Sequence, residues 1–260
     1  MSENVIFVFS GTGNCLDFAR NMAKKMGDTD IVLIRSTLAK EDVRNAKRVG
    51  FVFPCFGGGA PEDVLNAAKR IQISPDAYTF AVSISASYAG VGLAALNEIV
   101  PLKYWRTTTH HCSCIWLFPH DLMMPRLSVE DAQARSMKTA WLTAAEVLSG
   151  KVTGKKPPKN PLNAAENMGW PMIAKKKAAA FEVSGECIGC GQCARLCPRG
   201  NIEISAGRAV IGTNCAQCLS CLQWCPTEAI SLGEITKKRE HYHNPNVTPD
   251  DLCQALIHID

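Results

Sequence analysis

Along the first 150 residues, short apolar runs alternate with longer stretches in which apolar residues return every three or four positions. Val5–Phe9, Asp30–Ile34, Arg48–Phe53, Thr79–Ile84 and Cys112–Phe118 have the length and the β-branched and aromatic content of strands. Cys15–Met26, Pro61–Ile71, Gly92–Val100 and Ser128–Leu148 have the helical period. Alternating strands and helices build parallel sheets through right-handed crossovers, with helices on both faces. The pattern therefore predicts an α/β domain over residues 1–150 with a doubly wound, five-stranded parallel sheet.

The rhythm stops at Gly150. Lys151 to Pro161 is rich in Lys and Pro with no helical or strand period, so residues 151–180 are expected to link two domains, with a helix over 162–180 crossing the junction. The run Lys175-Lys176-Lys177 reads as a solvated face.

At 260 residues the chain is long enough for one large core or two smaller ones. A net charge of +4 does not imply a nucleic-acid binder, no apolar stretch is long enough to span a membrane, and Met1-Ser2-Glu3-Asn4 lacks the features of a secretion signal. A cytoplasmic protein is expected. Eight of the thirteen cysteines fall between Cys187 and Cys225, which in such a chain argues for metal or redox chemistry over a disulfide framework.

Within that block a pattern occurs twice. Cys187, Cys190, Cys193 and Cys197-Pro198, then Cys215, Cys218, Cys221 and Cys225-Pro226, both follow C-x2-C-x2-C-x3-C-P, the spacing of bacterial ferredoxins. Three cysteines in a tight loop wrap three corners of a cubane, and the fourth ligates the neighbouring cluster. One [4Fe-4S] cluster is thus expected on Cys187, Cys190, Cys193 and Cys225, and a second on Cys215, Cys218, Cys221 and Cys197. Gly189 and Gly191 allow close backbone approach and N–H bonds to sulfur. Zinc would need separated pairs, which this register does not form. Residues 181–235 resemble a small α+β two-cluster ferredoxin domain, leaving 236–260 as a C-terminal tail.

Between the first strand and first helix lies Phe9-Ser10-Gly11-Thr12-Gly13-Asn14-Cys15. A Gly-rich turn at a helix start offers backbone N–H groups to a phosphate. Neither the Walker A pattern nor G-x-G-x-x-G is present. The loop resembles the flavodoxin phosphate loop [ST]-x-T-G-N-[ST], in which hydroxyls and amides hold the FMN phosphate; Ser10, Thr12, Gly13 and Asn14 match it, and Cys15 stands where a hydroxyl is usual. In a flavodoxin-like sheet the flavin sits beyond the carboxyl ends of the strands. There, Pro54 to Pro61 has little bulk at Gly57 and Gly58 and carries Phe56, while Ser85-Ala86-Ser87-Tyr88-Ala89-Gly90 resembles the loop whose tyrosine stacks on the ring. Tyr88 is the expected stacking residue.

Other segments read as ordinary structure. His110 and His111 are adjacent and would point to opposite faces of a strand, Cys112 and Cys114 read as core or surface, and Leu117 to Pro125, with His120 and Asp121, reads as a connecting loop. Lys237 to Pro245 reads as an exposed tail placed to rest on the other domain.

Nearly the whole chain, including the tail Tyr242-His243-Asn244-Pro245 with Thr248 and Leu252, resembles the flavodoxin–ferredoxin fusion proteins of anaerobes. The resemblance implies low-potential electron transfer between two [4Fe-4S] clusters and FMN within one chain, exchanging electrons with ferredoxin or a ferredoxin-dependent redox enzyme. Alternatives are a flavin-dependent reductase in which the clusters feed FMN to reduce a small substrate, and a redox or iron sensor. No acid–base pair or nucleophile constellation in the sequence announces a dedicated substrate.

Overall fold

In the computed structural model, residues 2–38, 41–86, 88, 90–110 and 127–260 are described, Ile235 by its backbone alone. The N-terminal half runs β1 (Asn4–Val8), α1 (Asn14–Met26), β2 (Thr29–Leu33), β3 (Arg48–Pro54), α2 (Glu62–Ala68), β4 (Tyr78–Ser85), α3 (Gly92–Ile99), β5 (Tyr104–Thr109) and α4 (Val129–Leu148). Strands β2-β1-β3-β4-β5 pair in parallel in that order. This is the flavodoxin-like doubly wound arrangement, with its switch point between β1 and β3.

Burial on both faces explains why the strands read as unbroken apolar runs. Ile6 and Val8 of β1 pack with Leu16, Phe18 and Met22 of α1 and Ala140, Ala144 and Val147 of α4; Val5, Phe7 and Phe9 pack on the α2 and α3 side with Val64, Ala67, Leu93 and Leu96. Ser128 caps α4, its hydroxyl accepting from the Asp131 N–H at 3.0 Å.

Two expectations change. The fifth parallel strand is Tyr104–Thr109, whose Arg106 and three following threonines suit a sheet edge, and the expected strand at 112–118 lies outside the described residues. The sheet also has a sixth, antiparallel strand from the far end of the chain: β10 (Leu256–Ile259) pairs with β2, His258 opposite Asp30.

The cysteine-bearing part contains β6 (Phe181–Val183), α6 (Gln192–Leu196), β7 (Ile202–Ser205), β8 (Arg208–Ile211), α7 (Ser220–Gln223) and β9 (Ile230–Leu232). β6 pairs with β9 and β7 with β8, both antiparallel. α5 (Pro161–Ala178) precedes it; α8 (Gly233–Lys237) and α9 (Pro249–Cys253) follow. Leu196, Trp224, Val247 and Leu252 join the core on the α1 side, so the two halves share apolar packing. Polar clamps reinforce it. Arg199 meets Asp63 through Nε at 2.9 Å and Nη2 at 2.8 Å, and Arg35 donates to the carbonyls of Arg195, Cys197 and Leu252.

The sixth strand is pinned by two titrating groups. Arg20 meets Asp251 at 2.6 Å, and together with the Thr248 capping box it holds that carboxyl down at about 2. The hydrogen bond that His258 donates to Asp30, then the one it donates to Asp260, raises His258 above its usual value. A lowered carboxyl stabilises above its unfolded value and loses that contribution as pH falls toward 2. A raised His stabilises below about 6.5 and loses the contribution as pH climbs through its folded value. Hydrogen exchange at β10 amides should therefore quicken in both directions, corrected for intrinsic rates. Asp251→Asn should weaken the acid arm and leave the alkaline arm unchanged, the lowered Asp30 beside His258 keeping part of the acid response.

Candidate functional site

The C-terminal ends of β1, β3 and β4 face one cavity, lined by Ser10, Gly11, Thr12, Asn14 and Cys15, by Pro54, Phe56 and Gly57, and by Ser85 and Ala86. Three loops far apart in sequence are thus brought together. None of the backbone N–H groups from Ser10 to Leu16 donates to a protein acceptor among the described residues. With Gly13 left-handed at the start of α1, they form a cradle suited to a phosphate. Two side-chain atoms of lining residues, Ser85 Oγ and Gln223 Nε2, are buried without partners among the described residues. Buried polar atoms are costly to leave unsatisfied, so a polar ligand fits here.

Other expected residues stand elsewhere. Gly13 is covered by Asn244 and Val247. Gly90 packs onto the Gly58 carbonyl, where a methyl would overlap it, so these glycines serve loop packing. Tyr88 is not in the cavity wall; its hydroxyl donates to Glu166 Oε2 of α5. Ser87, His111, Cys112, Cys114, His120 and Asp121 lie outside the described residues.

An aromatic ring from outside the expected loops that does face the cavity is Trp170 of α5, packed on Gly57, where a side chain would overlap the indole. Sequence reading assigned the small bulk of Gly57 to a ligand ring; the structure gives it to Trp170. Phe56 lines the cavity and meets Phe9 edge-on at 6.1 Å. Burial pushes the Cys15 thiol up, and burial with the Glu166 charge pushes Cys55 up to about 12, so neither is a ready nucleophile at neutral pH.

Another part of the wall comes from the cysteine-bearing part, Gln217, Cys218, Leu219, Gln223 and Leu232, with His110 after β5 and Tyr242 of the tail also lining the cavity. The Gly11 carbonyl accepts from Ser220 Oγ at 2.7 Å and Trp224 Nε1 at 2.9 Å. The tail is not simply exposed. His243 stacks on Trp224 at 4.1 Å, the Asn244 N–H donates to the Thr12 carbonyl, and Asn14 Oδ1 accepts from the Tyr242 hydroxyl at 2.8 Å and Asn244 Nδ2 at 3.0 Å. With its oxygen so engaged, the Asn14 amide nitrogen is left for the cavity. Sequence offered one hint of this, the resemblance of Tyr242-His243-Asn244-Pro245 to the fusion-protein tail.

The eight cysteines gather in two groups. Cys187, Cys190, Cys193 and Cys225 line one small hollow. Cys215, Cys218 and Cys221 are charge neighbours of one another and of Cys197. Among the described residues no three His, Cys, Asp or Glu side chains close on a single point as one metal ion would require. Burial pushes Cys218 up to about 12 and raises Cys221 as well, which favours the neutral thiols unless a cation sits among them. Backbone N–H groups reach the sulfurs: Asn201 to Cys197, Gln217 to Cys215 and Ala229 to Cys225, each at 3.3 Å. Such bonds are among the groups that tune an iron–sulfur cluster.

The two cysteine loops repeat one backbone. Gly189, Gly191 and Gly200 have positive φ, as do their equivalents Gln217, Leu219 and Glu228. Left-handed conformation costs a non-glycine residue ~1–2 kcal/mol. Leu219 offsets this by lining the cavity, whereas Glu228 is exposed. Glu228→Gly is therefore expected to stabilise the protein by up to about 1 kcal/mol, and Leu219→Gly to destabilise it despite the same backbone relief. Temperatures of cluster bleaching compare the two.

Residues 183–203 match the 4Fe-4S binding domain family. No curated protein matches the chain. Solved structures similar to it include flavodoxin 1 from Bacillus cereus (13% identity, 56% of this chain and 97% of that one, TM-score 0.41). Others are a flavoprotein in complex with FMN from Lactobacillus acidophilus (10% identity, 41% and 93%, TM-score 0.33) and an NAD(P)H:quinone oxidoreductase from Methanothermobacter marburgensis (8% identity, 55% and 95%, TM-score 0.35). By its strand order and its matched segment, the chain joins a flavodoxin-like domain to a ferredoxin-type 4Fe-4S domain. Among the described residues no helix is long and apolar enough to cross a membrane.

Proposed function

We propose that the protein transfers electrons between two [4Fe-4S] clusters and an FMN, and exchanges them with a separate redox protein. The observation that carries this reading is the shared wall: Cys218 and Leu219 of the second cysteine motif line the same cavity as the phosphate loop, and Ser220 and Trp224 fix that motif to the Gly11 carbonyl.

The chain's groups have distinct tasks. The N–H groups of Ser10 to Leu16 and the hydroxyls of Ser10 and Thr12 would hold the phosphate, with Asn14 oriented by Tyr242 and Asn244. Phe56, Trp170 and Leu219 would bound the ring site and exclude water. Cys215, Cys218, Cys221 and Cys197 would hold the cluster beside the flavin, and Cys187, Cys190, Cys193 and Cys225 the outer one, where Cys190 is exposed. When bound, the clusters supply one-electron steps and FMN the means to combine two of them. Fixed neighbours replace a diffusional encounter by an intramolecular hop.

Anaerobic purification with metal and flavin analysis tests the reading. About eight iron and one FMN per chain, with the flavin reduced through the clusters after rapid reduction, are expected. Zinc, absent flavin, or fast turnover of a small organic acceptor would overturn it.

A further inference from the structure

Helix α5 presents an unusual face to solvent. A surface helix normally turns its apolar stripe inward. Here the inward face carries Asn163, Asn167 and Trp170 against Gly57, Gly58 and Gly59, and the Ala174 carbonyl accepts from Gln217 Nε2 at 3.2 Å. The outward face carries Leu162, Met168 and Met172, which are 80, 82 and 77% exposed, with Ile173 beside them. At ~100° per residue these four positions fall within an arc of about 140°. Single exposed apolar residues are ordinary, but a contiguous stripe marks an interaction surface.

Charge frames the stripe. Lys155 and Lys156 precede the helix, Lys175 and Lys176 lie in its last turn, and all four are exposed and in no ion pair among the described residues. We propose that this face docks a small acidic electron-carrier protein at the flavin end of the molecule, an inference that rests on the cavity holding FMN.

Three observations select that occupant. An apolar centre with a charged rim is the anatomy of a protein interface, and methionines adapt to transient partners. A lysine rim fits an acidic partner, while a second copy would set lysine against lysine. And Trp170 on the inward side of the same helix lines the cavity, so a protein seated outside would stand about one helix diameter, ~10 Å, from it. The outer cysteine hollow, beside which Ile188 is 67% exposed, shares no lining residue with the cavity behind α5.

The test uses the holoprotein, with a purified acidic flavodoxin as the probe carrier. Affinity is read by surface plasmon resonance, and electron exchange by stopped flow over a range of salt. The double variants Met168→Glu/Met172→Glu and Lys175→Glu/Lys176→Glu change exposed residues only. Each should weaken binding and slow exchange about 10-fold or more, and wild-type exchange should fall with salt. Ile188→Glu should leave the affinity unchanged. The docking proposal is overturned by no binding in the wild type, by unchanged affinity in both α5 variants, or by losses confined to Ile188→Glu. Preferential binding to phosphatidylglycerol vesicles, or a dimer in sedimentation that the Met168→Glu/Met172→Glu variant dissolves, would assign the face to another occupant and overturn it equally. Internal reduction of the flavin by the clusters is measured separately, so its absence in the wild type counts against the proposed function while the affinity data still judge the docking face.

Discussion

Gly11→Ala is expected to unseat the ferredoxin-type domain from the phosphate loop and to slow cluster-to-flavin electron transfer by more than 10-fold. A methyl there would overlap the Cys218 carbonyl oxygen, which is backbone and cannot rotate away. The loop and the cysteine turn must separate, and the bonds from Ser220 Oγ and Trp224 Nε1 to the Gly11 carbonyl lengthen together. Overpacking of this kind costs about 1–3 kcal/mol, and here it falls on the wall of the flavin cavity. Flavin content after gel filtration should drop while iron content stays near wild type, and stopped-flow reduction should show clusters filling faster than the flavin. Unchanged flavin content and transfer rate would show that electrons do not pass at this contact.

Cys197→Ala should have an effect out of register with its place in the sequence. Cys197 closes the first motif, yet it stands among Cys215, Cys218 and Cys221 of the second. Its loss should remove the cluster beside the flavin, halve the iron from about eight to about four per chain, and abolish flavin reduction through the outer cluster. Cys225→Ala should instead empty the outer hollow, which Cys225 shares with Cys187, Cys190 and Cys193. Low-temperature EPR of the two variants distinguishes the remaining clusters. If Cys197→Ala removed the outer signal, the crossed ligand sets would be wrong.

Features set by local chemistry were legible in the sequence. The cysteine spacing marked out the ferredoxin-type segment, because a triplet loop with a following Cys-Pro leaves little freedom, and residues 183–203 match the 4Fe-4S binding domain family. The strands from Val5, Arg48 and Thr79 were visible because burial on both faces demands unbroken apolar runs. Tyr104–Thr109 was hidden because an edge strand with Arg106 and three threonines has no such run. β10 was hidden because its partner, Thr29–Leu33, lies more than two hundred residues earlier and short tails carry no sign of where they pair. At the cavity, Ser10 to Cys15 could be found from their own order, whereas Trp170 and Gln217 reach it only through tertiary packing. Tyr88 was picked for its place in the loop after β4, and an aromatic near a loop in sequence competes with any helix that packs on that loop.

The return of β10 to β2 also determines how the molecule responds to cutting. The ferredoxin-type part is held at both of its ends, by α5 leading in and by the tail that joins the sheet beyond Asp30. A protease that cleaves among the exposed lysines of 151–159 would open the covalent chain without releasing either half. The nicked protein should elute as a single noncovalent assembly and keep its internal electron route, as a hinge on two pins still holds a door when one leaf of the hinge is sawn through.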